Sequence, residues 1–449
     1  MLFAINMMNF FDRQIIAVVT EPIRQEWQLD YSRVALLGTA FTLIYAAMGV
    51  PLGRLTDKVS RVRILAIGVL VWSILTAASG LAKNYWQLFA YRLGVGIGEA
   101  SCAPAGNSLI GDLFPAHKRA KALSIFMLGL PIGMALSYAV SGRVAQAWGW
   151  RWAFYIAIIP GLICTVWALL IREPQRGATE SHNIGAAKRE GSPYWLVLSI
   201  PTMWWIILSG ALHNFNMYAI ASFINPFLQQ YHGLNIRQAS DVSMIVNGLM
   251  GIPGLILGGL AADWFMKKRK DGRMLVGTIA LVASVPLVLL AISRPRGDLW
   301  GFAIMMGLGY AVMNAYYSTV YATIQDIIEP SLRGTAMSLY FFAMYVLGAS
   351  FGPYGTGLAS DHFTVQAALA AGVTIPVDQA ARFQALEPFR ATGLHSAMYI
   401  IPILGTLLSF VLLAGARTVT KDMDKLQKWM RESIAKSKAG AAANVEVGD

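Results

Sequence analysis

Apolar residues fill most of this chain in long runs, and polar or charged residues are gathered into short stretches between them. Each run is about 20 residues long, enough as a helix to cross a hydrocarbon layer of about 30 Å. The pattern predicts twelve spans near residues 1–22, 34–53, 64–82, 86–113, 121–145, 152–171, 196–226, 238–262, 274–293, 299–325, 334–358 and 394–416. It divides the chain into a six-helix bundle over 1–171, a polar linker over 172–195, a second bundle over 196–416 and a basic, amphipathic tail over 417–449. Twelve spans leave both termini on one side.

Composition agrees with that pattern. Of 449 residues, 56% are hydrophobic and 13% charged, with a mean hydropathy of +0.52, more apolar surface than a soluble core can hide. The net charge of +12 does not point to nucleic acid, because the basic residues sit in short loops and form no continuous face. With the termini inside, the inner segments hold 24 Lys and Arg and the outer loops 10, the distribution expected when basic residues stay cytoplasmic during insertion. Asn6, Asn9, Asp12 and Arg13 interrupt the first run and no small-residue cleavage site follows it, so it reads as a span and not a signal peptide. Cys102 and Cys164 both lie within apolar runs, which speaks against a disulfide framework. The absence of any Asn-x-Ser/Thr sequon fits a bacterial inner membrane.

The two halves carry the same loop signals. Asp112, Arg119, Ala122 and Ser124 recur at identical offsets as Asp326, Arg333, Ala336 and Ser338, with Pro115 and Pro330 between the first two of each set. Gly53 and Asp57, followed by Lys58, Arg61 and Arg63, are echoed by Gly259 and Asp263, followed by Lys267, Lys268 and Arg269. The segment GRLTDKVSRVR over 53–63 resembles the loop signature of the major facilitator superfamily. That resemblance implies an all-α membrane protein, two pseudo-symmetric six-helix bundles rocking about a central site. It also implies a cytoplasmic gate among Asp57, Arg61, Asp112, Arg119, Asp263, Asp326 and Arg333, with Asp57 facing Arg333 and, by the repeat, Asp263 facing Arg119. Independent charges snorkelling at helix ends are the plainer alternative.

Four charges lie well inside spans: Asp12, Arg13, Arg92 and Glu99. A central charge costs about 2.5–3.5 kcal/mol on insertion scales, so such groups pair or face a cavity. Arg92 and Glu99 are seven residues apart and share one helix face. A carboxylate stripped of its arginine in a dry site gains proton affinity. Asp12 and Glu99, with Arg92, are therefore candidates for proton coupling. Arg13 and Arg92 are candidates for holding an anion, together with Asn9 and with His213, Asn214 and Tyr218 on the seventh span, where Asn214-Phe215 echoes Asn9-Phe10. An ion-pair network that only orients helices is the rival reading. Tyr310, Tyr316, Tyr317, Tyr321, Phe341, Phe342 and Tyr345, with several methionines, offer an adaptable apolar wall opposite.

Four N-terminal segments resemble the Spinster family: NMMNFFDR from Asn6, RLGVGIGEAS from Arg92, DLFPAHKRAKALSIF from Asp112 and REPQRG from Arg172. The resemblance implies movement of sphingosine phosphate or lysophospholipids, with Asp12, Arg13, Arg92 and Glu99 serving headgroup binding and coupling. Three readings stand: a proton-linked transporter of anionic amphipathic lipids, acting as a monomer; a transporter of soluble organic anions or drugs; and a non-transporting membrane sensor or enzyme. No P-loop, metal-ligand spacing or nucleophile elbow occurs, so neither a metal nor another cofactor is expected.

Overall fold

The computed structural model describes residues 1–114, 116–175, 192–329 and 332–446, without the side chains of Asp57, residues 116, 117, 119 and 120, and 433–446. The predicted linker falls mostly outside them. The described residues are helical and connecting, with no strand among them. In the N-terminal half, α1 is Leu2–Glu26, α2 Tyr31–Lys58 and α3 Arg61–Ser79. The fourth helix, α4, runs Tyr85–Glu99 and resumes as Cys102–Leu113; α5 is Ala116–Met127 with Gly129–Trp148, and α6 is Trp150–Tyr155 with Ile158–Leu169.

In the C-terminal half, α7 is Pro201–Gln230, α9 Gly272–Ile292 and α10 Leu299–Ile327. Two helices contain a π turn: α8 (Ile236–Ser243, π turn Met244–Leu249, Gly251–Met266) and α11 (Arg333–Ala343, π turn Met344–Ala349, Phe351–Ala370). The last helix, α12, comprises Arg390–Met398 and Ile400–Glu446.

Two hydrophobic cores form, one almost wholly from residues 5–168 and one from residues 197–423 joined by Tyr31 and Ala35 of α2. Close approach within the first depends on α5 lying against α1, where a Cβ on Gly133 would come within 2.2 Å of the Met7 carbonyl oxygen. The halves meet along α2 with α11, α5 with α8 and α1 with α7. Among the described residues, the cross-half hydrogen bonds and ion pairs gather between the middle of the bundle and the end opposite the termini, called the distal end below. Toward the termini, the helix segments Cys102–Leu113, Ala116–Met127 and Arg333–Ala343 pack chiefly against elements of their own halves. A cleft therefore opens on the termini side and closes at mid-depth.

Two elements exceed their predicted length. Helix α11 continues to Ala370, and a helix at Gln379–Leu386 and a 3-10 turn at Glu387–Phe389 lead into α12. Helix α12 continues unbroken into the tail, where Asp422 receives hydrogen bonds from the backbone N–H (3.0 Å) and hydroxyl (2.6 Å) of Thr202 at the start of α7. Met423 and Leu426 of the amphipathic tail are buried against the protein.

Candidate functional site

The four intramembrane charges come together between α1 and α4. Helix α4 reaches this position because it is glycine-rich: a Cβ on Gly98 would lie 3.0 Å from the Gly68 carbonyl and from Trp72. Its first segment ends at Glu99, whose carboxylate accepts a 2.7 Å hydrogen bond from Arg13 Nε. Asp12 is fully buried, within electrostatic reach of Glu99 and Arg92, and the Trp72 indole N–H lies beside it outside hydrogen-bonding geometry. Both Asp12 oxygens, Asn9 Nδ2, and Nε and Nη1 of Arg92 have no hydrogen-bond partner among the described residues. Arg92 packs on Phe41, its guanidinium 4.7 Å from the ring centre. One ion pair thus sits beside a buried acid and a buried base that are not hydrogen-bonded; the four formal charges cancel, but Asp12 lacks a donor and Arg92 lacks an acceptor, the positions at which a proton and an anion can bind.

Arg13 carries this cluster to the top of the cleft. Its guanidinium lies 4.1 Å from the centre of the Tyr45 ring and also faces Phe10 and Phe41. Tyr45 meets Tyr345 of the other half edge-on at 5.6 Å, and Tyr345 meets Tyr218 at 6.4 Å. Tyr218 therefore stands near Arg13, whereas His213 and Asn214 do not. His213 is buried, stacked 4.0 Å from Tyr316 and edge-on to Tyr317, and Asn214 accepts from the Tyr317 hydroxyl at 3.1 Å. Both contact residues of the C-terminal half, and the two ring nitrogens of His213 have no hydrogen-bond partner among the described residues. Tyr45 went unnoticed in the sequence, where a tyrosine in an apolar span carries no distinguishing signal.

The distal mouth is sealed by charge. Arg24, fully buried, bonds Glu21 at 2.7 Å and Glu387 of the other half at 2.5 Å, and Glu21 also accepts from Tyr31 and from Gln230. Arg390 bridges Asp30 and Asp361, and Asp361 receives the backbone N–H groups of Tyr31 and Ser32 at the start of α2, at 3.0 and 2.9 Å. The distal end of α11, the segment after it and the start of α12 thus supply Asp361, Glu387 and Arg390 to a lid across the mouth.

The sequence profile of the Major Facilitator Superfamily matches residues 2–353. The chain belongs to that superfamily. It is a multi-pass membrane transporter, and Spinster proteins are among its relatives within the superfamily. An "MFS-type efflux pump" of Mycolicibacterium smegmatis is 25% identical over 80% of this chain and 82% of its own. The "Sphingosine-1-phosphate transporter SPNS2" of Xenopus tropicalis is 25% identical over 94% and 82%. The crystal structure of a bacterial homologue of the human lysosomal transporter Spinster, inward-facing and unoccupied, superposes with a TM-score of 0.83 at 26% identity, over 94% of this chain and 96% of that one.

The superfamily loop residues form a clasp inside each half. Arg61 opens α3 and bonds Asp112 and, at 2.8 Å, Glu173. Burial pushes the Glu173 carboxyl up, but hydrogen bonds from the Val62 and Arg61 backbones, the Arg61 side chain and Ser60 outweigh it and hold it at about 2. In the other half Arg273 bonds Asp326 and, at 2.9 Å, Asp263. Asp263 is thus paired within its own half; the side chains of Arg119 and Asp57 lie outside the described residues. Arg333 is exposed. Arg273 and Glu173 were missed. The repeat was aligned on Lys267–Arg269, whereas the basic residue equivalent to Arg61 is the one at the start of the next helix.

Proposed function

We propose that this superfamily member is a proton-linked transporter of anionic amphipathic lipids of the lysophospholipid or sphingosine-phosphate class. It works as a monomer by alternating access between halves 1–171 and 196–416, in a bacterial inner membrane with both termini cytoplasmic. The observation that carries the reading is Arg13, held by Glu99 yet presented to an aromatic cleft, beside Asp12 and Arg92 that lack hydrogen bonds to each other. An anionic headgroup competes with Glu99 for Arg13 by charge-assisted hydrogen bonds. Glu99, once released in a dry site, takes a proton, and the acyl or sphingoid chain lies along Tyr45, Tyr218 and Tyr345. The relative named as a sphingosine-1-phosphate transporter supports the substrate class.

The test is flux in proteoliposomes of purified protein, comparing lysophosphatidate, sphingosine phosphate and a soluble organic acid, with and without a pH gradient. Lipid flux that saturates, follows the gradient and is lost in Arg92→Ala is the expected result. Flux of the soluble acid alone moves the assignment to the organic-anion and drug reading, which the relative named as an efflux pump favours.

A further inference from the structure

A polar knot outside the charge site joins the two halves at the top of the cleft. The Tyr138 hydroxyl on α5 accepts from Gln14 Nε2 at 2.6 Å and from Asn247 Nδ2 at 2.9 Å, and donates to the Ala221 carbonyl at 3.0 Å. Gln14 also donates to that carbonyl at 3.2 Å. Gln14 and Tyr138 belong to the N-terminal half, Ala221 and Asn247 to the other. All three side chains are buried, Tyr138 completely. A phenol has one proton to give and two lone pairs to receive with, so this hydroxyl is saturated.

Its position matters as much as its bonding. Asn247 lies in the π turn of α8, and the matching π turn of α11 holds Tyr345, which touches Tyr45 on the other seam; just beyond it, the Ser350 carbonyl accepts from Thr39 at 2.5 Å. The α5–α8 and α2–α11 seams are thus each held at mid-depth by a π turn, an element that costs helical regularity and concentrates at working parts of proteins. Distal to the knot, the same α5–α8 seam continues to the pair Arg143–Asp241 at 2.8 Å. Opening the distal mouth parts these helices and breaks the knot. Gln14 directly follows Arg13, so the helix that carries the ion pair to Glu99 is the one the knot ties to the opposite half.

We propose that Tyr138 is a positioning residue for transport: its hydroxyl pins α1 and α5 to α7 and α8 and so sets the balance between the termini-side-open and distal-open states. This rests on alternating access between the halves and not on the identity of the substrate.

The experiment measures spin-label distances between cysteines introduced at Lys58 and Lys268, both exposed on the termini side, in substrate-free protein in nanodiscs. The native Cys102 and Cys164 are buried and are not labelled. Tyr138→Phe keeps the ring and removes the three bonds of the hydroxyl, leaving only Gln14 on the Ala221 carbonyl. It is expected to shift the ratio of long to short distances at least about tenfold toward short, the equivalent of about 1.4 kcal/mol. Asn247→Ala, which unties the knot from the other half, is expected to shift it the same way. The double variant should shift it less than the sum of the two. A merely structural tyrosine lowers the melting temperature and leaves the ratio alone. A folded Tyr138→Phe with the wild-type ratio, or additive effects in the double variant, overturns the proposal. Should Tyr138→Phe fail to fold, Asn247→Ala alone decides by the same ratio. A wild type confined to one distance overturns the rocking reading itself along with the pin.

Discussion

At the scale of single residues, the charge site is organised by what each side chain lacks. Glu99 has Arg13, while Asp12 and Arg92 are buried with no hydrogen bond between them. Under the proposed mechanism, Glu99→Gln leaves Arg13 free to hold an anion and removes the group that trades the anion for a proton. Flux down a substrate gradient should persist in that variant while its dependence on the pH gradient disappears; proteoliposomes with and without the gradient show this directly. Asp12, Arg13, Arg92 and Glu99 could be read from the sequence because a charge inside an apolar run is costly and so stands out. Tyr45 and Tyr138 could not, since a tyrosine in a span is equally suited to packing or to lipid contact, and only the position of its neighbours separates the uses. His213 also stands out as polar in an apolar run, and it stacks on Tyr316 inside one bundle, away from Arg13.

At the scale of elements, hydrophobic run length placed the twelve spans closely, because the hydrocarbon thickness sets the length of the run. It failed where helices leave the hydrocarbon. There, polar residues do not end a helix that tertiary contacts sustain, as Asp422 at the start of α7 sustains the extension of α12. The repeat was legible as paired Asp and Arg positions, but their partners were not, because the loop before Arg273 is longer than the one before Arg61 and hides the correspondence. The clasp of Arg61 with Glu173 yields a pH signature. Glu173 sits near 2 in the folded protein, below the usual carboxylate value, so it stabilises the fold above the unfolded value of about 4.3, and this is lost as pH falls toward 2. The difference in melting temperature between wild type and Glu173→Gln should be constant above about pH 5 and shrink steadily below it.

For the whole molecule, closure of the distal end rests on two buried arginines, Arg24 and Arg390, that reach across the seam to carboxylates of the opposite half. Removing one partner of a buried ion pair costs about 3–5 kcal/mol. Arg390→Ala leaves Asp30 and Asp361 facing each other, so the distal mouth should open more often. A cysteine at Ser32 should then react faster with a membrane-impermeant maleimide than in the unmutated background. The lid segment was visible in the sequence only as an unusually long outer stretch, since its role depends on charges contributed by α1 and α2, far away in the chain.

Asp361 has one more consequence. A helix begins with a partial positive charge of roughly half an elementary unit and several amide protons without acceptors. At the start of α2 that charge is met by a carboxylate belonging to the opposite half. The first turn of α2 is therefore borrowed: it is electrically complete while the distal mouth is shut, and when the halves part it must find its anion in the water or unwind. The length of this helix is a property of the conformational state as well as of its own residues.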